Sequence, residues 1–101
     1  MLIKEILKKY NINIPINDQI LNLDFDGEFT EYFVNQYSNG DTMYTFYDEN
    51  HEIRILPNRM DTPLVYYSFK EGKDIGQSKF YNPKGVVVIE EVAVRNLNVS
   101  P

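Results

Sequence analysis

Three carboxylates lie close together in the stretch Asp24-Phe-Asp26-Gly27-Glu28, and side chains of this type can bind a cation. A calcium-binding EF-hand loop needs three acidic positions before its glycine and a Glu at its twelfth position. Here Gly27 follows the second Asp directly, so the spacing does not match that loop. Alternating apolar residues from Ile20 to Phe25 instead predict a strand, and Asp26-Gly27 is typical of a hairpin turn. We therefore expect both Asp side chains on the outer face of a hairpin, without a metal ion.

The ten residues from Ile20 to Phe29 also resemble the first motif of the haloacid dehalogenase superfamily, an apolar strand followed by Asp-x-Asp-Gly-Thr. The resemblance implies a nucleophilic Asp24 and an acid–base Asp26 beside a magnesium ion. Glu28 stands where the family has Thr, and the family fold needs a parallel sheet with crossover helices. The chain has neither the length nor the helical pattern for that fold, so we predict no catalytic site here.

His51 is the only histidine, and the chain has no Cys, which leaves too few ligands for a zinc site. A Ser-His-Asp triad needs a buried carboxylate that orients the His beside an activated Ser. His51 lies in a predicted turn between acidic residues, and no Ser has the surroundings of a nucleophile elbow. We therefore predict a solvated histidine, a protein that is not an enzyme, and no cofactor.

An acidic and aromatic segment runs from Pro15 to Leu56, with nine Asp and Glu against Arg54 alone and with eight Phe and Tyr. Ordinary solubility explains such a charge, because net charge keeps small proteins dispersed. The alternative is a docking face for a basic partner, with aromatic anchors of the kind found at interface hot spots. Carboxylates two residues apart on a strand lie about 6.6 to 6.8 Å apart, a spacing that could mimic successive phosphates. The predicted partner-binding residues are Asp24, Asp26, Glu28, Glu31, Asp41, Tyr47, Asp48, Glu49 and Glu52.

Direct nucleic-acid binding needs a basic patch. Region 57–85 has five Lys and Arg against three Asp and Glu, which is a weak excess next to a segment that repels phosphate. We therefore expect a basic protein partner and no direct contact with nucleic acid.

The apolar pattern predicts which elements carry these residues. Leu2, Ile3, Ile6, Leu7 and Tyr10 recur at helical spacing, and the pattern changes to a period of two from Ile20 onward. After the first strand, further strands are predicted over Glu28–Tyr37, Thr42–Tyr47, Ile53–Leu56, Leu64–Phe69, Gln77–Tyr81 and Val86–Val94. The last run is the most apolar and rich in β-branched residues, so we expect it in the centre of the sheet. These elements predict an α+β fold with a short N-terminal helix packed on an antiparallel, mostly meandering sheet of about six or seven strands.

With 101 residues the chain is expected to form a single domain over 1–101. The N-terminus has no apolar run long enough for a signal peptide or a membrane span, so we expect a cytoplasmic protein without a membrane partner. The abundance of Asn, Ile, Lys and Tyr, with a single Ala, is typical of an AT-rich genome.

In size, acidity and composition the chain resembles small phage or mobile-element proteins that block host defence nucleases, anti-CRISPR proteins included. The best functional hypothesis is a small, acidic, non-enzymatic inhibitor that engages a basic nucleic-acid-handling protein, such as a nuclease, through its acidic surface. The alternative is a structural or assembly module that forms a homo-oligomer through a sheet edge. A small enzyme comes third.

Overall fold

The computed structural model describes residues 1–95, so the last six residues of the domain predicted over 1–101 lie outside the described part. Two short helices, α1 (Ile3–Lys9) and α2 (Asp18–Leu21), precede six strands: β1 (Glu31–Gln36), β2 (Thr42–Tyr47), β3 (His51–Ile55), β4 (Leu64–Phe69), β5 (Ile75–Tyr81) and β6 (Val87–Val94). All neighbouring strands are antiparallel, and their order in the sheet is their order along the chain. The predicted antiparallel meander with a short N-terminal helix is confirmed, and the described sheet has six strands. Because the helices are so short, the predicted α+β class holds only coarsely. Within residues 1–95, neither helix has the length and apolar character needed to cross a membrane.

The core lies between one face of the sheet and residues 1–29, which we call the cover layer. Because Ile3, Ile6 and Leu7 recur at helical spacing, α1 presents all three on one side, where they are buried. The cover layer contributes seven buried side chains to the core and strands β2–β4 contribute four: Ile3, Ile6, Leu7, Ile14, Ile20, Phe25, Phe29, Phe46, Ile53, Ile55 and Leu64. Within the described residues no helix lies over the other face of the sheet.

The strand and hairpin predicted around Ile20–Phe29 are wrong. The Asn17 side chain accepts a hydrogen bond from the Ile20 N–H, which starts α2 instead of a strand. Between α2 and β1, residues 22–30 form only a single antiparallel bridge, between Leu2 and Asp24. Apolar side chains in this segment turn inward one at a time, with Phe29 at a φ of 45° and fully buried. Burial under the sheet therefore overrides the local alternation that suggested a strand.

The predicted central position of Val86–Val94 is also wrong, because β6 is an edge strand. Four apolar side chains of β6, and Val86 just before it, are 44 to 76 % exposed: Val86, Val88, Ile89, Val92 and Val94. In a meander that follows chain order the last strand has a neighbour on one side only. Its apolar composition therefore predicts a strand correctly but says nothing about how deeply that strand is buried.

Candidate functional site

Six of the nine predicted binding residues come together at one end of the sheet, where β1 begins, β2 ends and β3 begins. We call this set the acidic corner; it consists of Glu28, Glu31, Tyr47, Asp48, Glu49 and Glu52. The strand register places Tyr47 directly opposite Glu31 on one side and Glu52 on the other. A cleft of about 510 Å³ opens beside them, lined by Gly27, Glu28, Thr30, Asp48, Glu49, Asn50 and His51. The register of the first three strands therefore assembles most of the predicted site.

Asp48 is the structural centre of the acidic corner. Its carboxylate accepts four backbone N–H groups at 2.7 to 3.0 Å, from Glu28, Phe29, Asn50 and His51. Partial burial by itself raises the pKa of Asp48, but the hydrogen bonds from the backbone and from His51 outweigh it and lower the pKa to about 2. Asp48 therefore fastens the cover layer to the turn between β2 and β3, and its oxygens are already used within the protein.

His51 is the first residue of β3, and its predicted position as a solvated turn residue is wrong. Its side chain is 26 % exposed, and Nδ1 lies 2.8 Å from the Asp48 carboxylate. The ring stacks against Tyr66, with 6.3 Å between ring centroids. An oriented His–Asp pair is part of a nucleophile-activating arrangement. No described hydrogen bond joins His51 to a Ser or Thr hydroxyl, however, so the pair fits a structural role.

The Tyr66 hydroxyl ties the cover layer to the sheet beside the acidic corner. It donates a 2.9 Å hydrogen bond to the carbonyl oxygen of Asp26. Burial raises the pKa of Tyr66 well above its usual range, and the charges of Asp26 and Asp48 add to the effect. The hydroxyl therefore stays protonated and remains a donor at neutral pH.

The side chains of Glu28, Glu31 and Glu49 are exposed and form no side-chain hydrogen bond or ion pair among the described contacts. Glu52 differs, since its carboxylate is hydrogen-bonded to Arg54 Nε. The Arg54 guanidinium in turn lies over the Tyr67 ring, 4.9 Å from its centroid. The acidic corner therefore offers three carboxylates that a partner can reach without breaking an internal contact.

Arg95 adds a positive charge to the acidic corner, and this contribution was not predicted from the sequence. Its Nη1 donates to the Glu49 carbonyl oxygen at 2.8 Å, and its guanidinium lies 4.6 Å from the Phe69 ring centroid. The Arg95 Nε is buried and has no hydrogen-bond partner among the described atoms. Because Arg95 and Glu49 are 46 positions apart, only the full meander brings them together, and no local signal could have shown the contact.

Three predicted residues lie outside the acidic corner. Asp24 and Asp26 belong to the cover layer, on an irregular segment, so their predicted strand spacing is wrong. The Asp24 carboxylate lies 3.1 Å from the amino group of Met1. Asp41 lies in the turn between β1 and β2 and accepts a hydrogen bond from Asn39 at 3.1 Å. Asp41 and Asp48 are seven positions apart along an extended strand, which is about 22 to 24 Å.

Within residues 1–95, no group of three or more His, Asp or Glu side chains is placed to hold a metal ion. No protein-family model, curated protein or solved structure matches this chain. Function is therefore inferred from the geometry of the described residues alone.

Proposed function

We propose that this protein is a non-enzymatic binding protein that engages a basic protein partner at the acidic corner. The observation that carries the proposal is the register of β1, β2 and β3, which sets Glu31, Tyr47 and Glu52 side by side at an open end of the sheet. The exposed carboxylates of Glu28 and Glu49 flank this row. A carboxylate cluster around an aromatic side chain has the chemistry that Lys and Arg side chains recognise.

The partner class that fits best is a nucleic-acid-handling protein, such as a nuclease, in the cytoplasm. Its phosphate-binding cleft is lined by Lys and Arg, and these side chains bind carboxylates through charge-assisted hydrogen bonds. Occupation of that cleft would inhibit the partner. The same negative charge repels phosphate, so the protein itself is not expected to contact nucleic acid.

Charge reversal tests this proposal. Glu31→Lys with Glu49→Lys changes two exposed residues of the acidic corner, and leaves Asp48 and Glu52 with their internal partners. Asp18→Lys with Asp41→Lys makes the same charge change away from the corner and is the matched control. We expect the wild type and the control to capture a basic partner from host lysate at low salt, and the corner variant to lose it. Complementary charge acts mainly on association, so moderate NaCl should also weaken capture by the wild type. Equal capture by both variants would contradict the proposal.

A second candidate function, assembly into a homo-oligomer, is favoured by the free edge of β1. All six residues of β1 are exposed, including Tyr32, Phe33 and Val34. Sedimentation velocity over a range of concentrations tests this function. A shift to dimer that is abolished by Val34→Pro would support edge pairing.

A further inference from the structure

The free edge of β6 offers hydrogen-bonding groups that the sheet does not use. The Arg95 N–H donates to the Asp74 carbonyl oxygen at 2.6 Å, at the end of the β5–β6 ladder. Bonded and non-bonded pairs alternate along an antiparallel ladder. Every second residue before Arg95 therefore points its N–H toward β5, namely Ala93, Glu91 and Ile89. The residues between them point their N–H and C=O groups outward, namely Val94, Val92 and Glu90.

The outward stretch of β6 is regular and apolar at its surface. The only register shift of the β5–β6 ladder within the described residues lies between Phe80 and Tyr81, opposite the beginning of β6. From Ile89 to Val94 the strand is therefore uninterrupted. Val92 and Val94 are 76 % and 72 % exposed. Arg95 also holds the end of the strand against the turn between β2 and β3. An edge of this kind is a ready template for another extended chain.

Two carboxylates in the middle of β6 decide what kind of chain fits. Glu90 lies opposite Lys79 and Glu91 opposite Ser78, so successive side chains place one carboxylate on each face of the sheet. The Glu90 carboxylate lies 4.0 Å from Lys79 Nζ and accepts a 3.5 Å hydrogen bond from Gln77 Nε2, whereas Glu91 forms no ion pair among the described contacts. Opposite charges on directly facing strand residues are stabilising and like charges are destabilising.

A second copy of the chain fits this edge poorly in the two registers that pair the most residues. Antiparallel pairing about a two-fold axis through the middle of β6 sets Glu90 opposite its own copy in one register and Glu91 opposite its own copy in the next. An incoming strand with two adjacent basic residues would instead meet an acid on each face. We propose that β6 accepts, as a seventh strand, an extended basic segment of a partner protein that carries two adjacent Lys or Arg residues between β-branched residues. The inference does not depend on the acidic corner, because Glu90, Glu91 and the outward backbone groups of β6 are not part of it.

A synthetic peptide tests the inference with the full chain. The probe is acetyl-Thr-Val-Thr-Lys-Lys-Thr-Val-Thr-amide, and one control has Glu-Glu in place of Lys-Lys. A second control keeps the lysines but carries an N-methyl group at every residue, which removes the main-chain donors on both edges of the peptide. We expect the lysine peptide to bind about tenfold more tightly than the acidic peptide, because two facing pairs change sign. The fully N-methylated peptide should not bind.

Amide hydrogen exchange locates the bound peptide. With the lysine peptide present, exchange should slow at the outward N–H groups of Glu90, Val92 and Val94. The inward N–H groups of Glu91 and Ala93 are already bonded and should change little. Val92→Pro removes one outward donor without removing a bond to β5, so the variant should fold normally and lose the peptide. Glu90→Lys with Glu91→Lys should reverse the preference and select the acidic peptide.

Several results would overturn the inference. One is binding of the lysine peptide that survives N-methylation or Val92→Pro, since the main-chain edge would then not be the site. Another is slowed exchange at Glu90, Val92 and Val94 without peptide as protein concentration rises, which would assign the edge to a second copy. A third is the absence of any difference between the lysine and glutamate peptides at millimolar concentration.

Discussion

Ile53 and Ile89 have the same side chain, both lie in β-strands of the same sheet, and their surroundings are opposite. Ile53 on β3 is fully buried under the cover layer, whereas Ile89 on β6 is 44 % exposed. Strands β2–β4 pack one face against residues 1–29, while β6 lies at the edge. The difference shows that a β-branched run can form a strand at any depth, and that its burial depends on what packs against each face of that strand.

This comparison separates the part of the molecule that holds the fold from the parts that are free to bind. The core and the Asp48 hydrogen bonds join the cover layer to β2–β4. The exposed carboxylates of the acidic corner (Glu28, Glu31 and Glu49) and the β6 edge instead present side chains and backbone groups with few internal partners. Substitutions in the first region should therefore act on stability, and substitutions in the second on binding.

The largest difference in stability is expected when the same substitution, Ile to Ala, is made separately in each region. Ile53→Ala leaves a cavity in the core and should lower the free energy of unfolding by about 2 to 5 kcal/mol. Ile89→Ala removes a side chain that is already half in water and should cost less than about 1 kcal/mol. Urea denaturation of the two variants measures both values. Equal losses would mean that β6 is packed as firmly as β3.

Removal of the carboxylate of Asp48 should have the next largest effect. Asp48→Ala leaves backbone N–H groups without their acceptor and should cost about 1 to 3 kcal/mol at pH 7. The pKa of Asp48 is lowered from 3.8 to about 2 in the folded protein, so its stabilising contribution is present above about pH 4. That contribution is lost as the pH falls from about 4 to about 2.

The stability difference between wild type and Asp48→Ala should therefore shrink over that pH range. Thermal melts at a series of pH values measure it, with Asp41→Ala as the control for loss of a carboxylate that accepts a single described hydrogen bond. A gap that stays constant from pH 7 to pH 2 would show that the charged form of Asp48 is not what stabilises the turn.

A smaller effect is expected from Arg95→Ala. The guanidinium over Phe69 and the hydrogen bond to Glu49 hold the end of β6, and a cation–π contact at a partly exposed site contributes about 0.5 to 1 kcal/mol. The variant should exchange the amide protons of Ala93 and Glu91 faster, with little change at Ile53. Unchanged exchange in β6 would mean that the strand is held by the β5–β6 ladder alone.

Salt should have the smallest effect on the isolated protein. The net charge is −5, and the carboxylates repel one another in the folded state. Since 0.1 to 0.15 M salt screens exposed charges beyond about 8 to 10 Å, moderate NaCl should raise the melting temperature slightly. The same salt should weaken the complex with a basic partner. A complex that is insensitive to NaCl would point to apolar contacts instead.

The strands β2 to β5 could be predicted from sequence because each combines an apolar run with turn signals such as Asn39-Gly40. The irregular path of the segment around Asp24 and Asp26 could not be predicted. Apolar and polar residues alternate there in the same way whether the segment pairs as a strand or packs its apolar side chains under a sheet. The six residues of the acidic corner were among nine predicted binding residues, and their convergence depends on a register that local patterns do not give. Asp48 was predicted as a partner residue, although its carboxylate is occupied by backbone N–H groups from a segment 19 and 20 positions away.

Native-state amide hydrogen exchange over residues 1–95 tests the central claim most directly, namely that the covered strands hold the fold and β6 does not. The measurement compares N–H groups that are hydrogen-bonded to a neighbouring strand. In the covered strands these are the N–H groups of Phe46 and Ile53, and in β6 those of Glu91 and Ala93. We expect the first pair to exchange only through global unfolding, and the second pair through a local opening of much lower free energy. Exchange of Glu91 and Ala93 with the full free energy of unfolding would contradict the claim, because β6 would then belong to the same cooperative unit as the core.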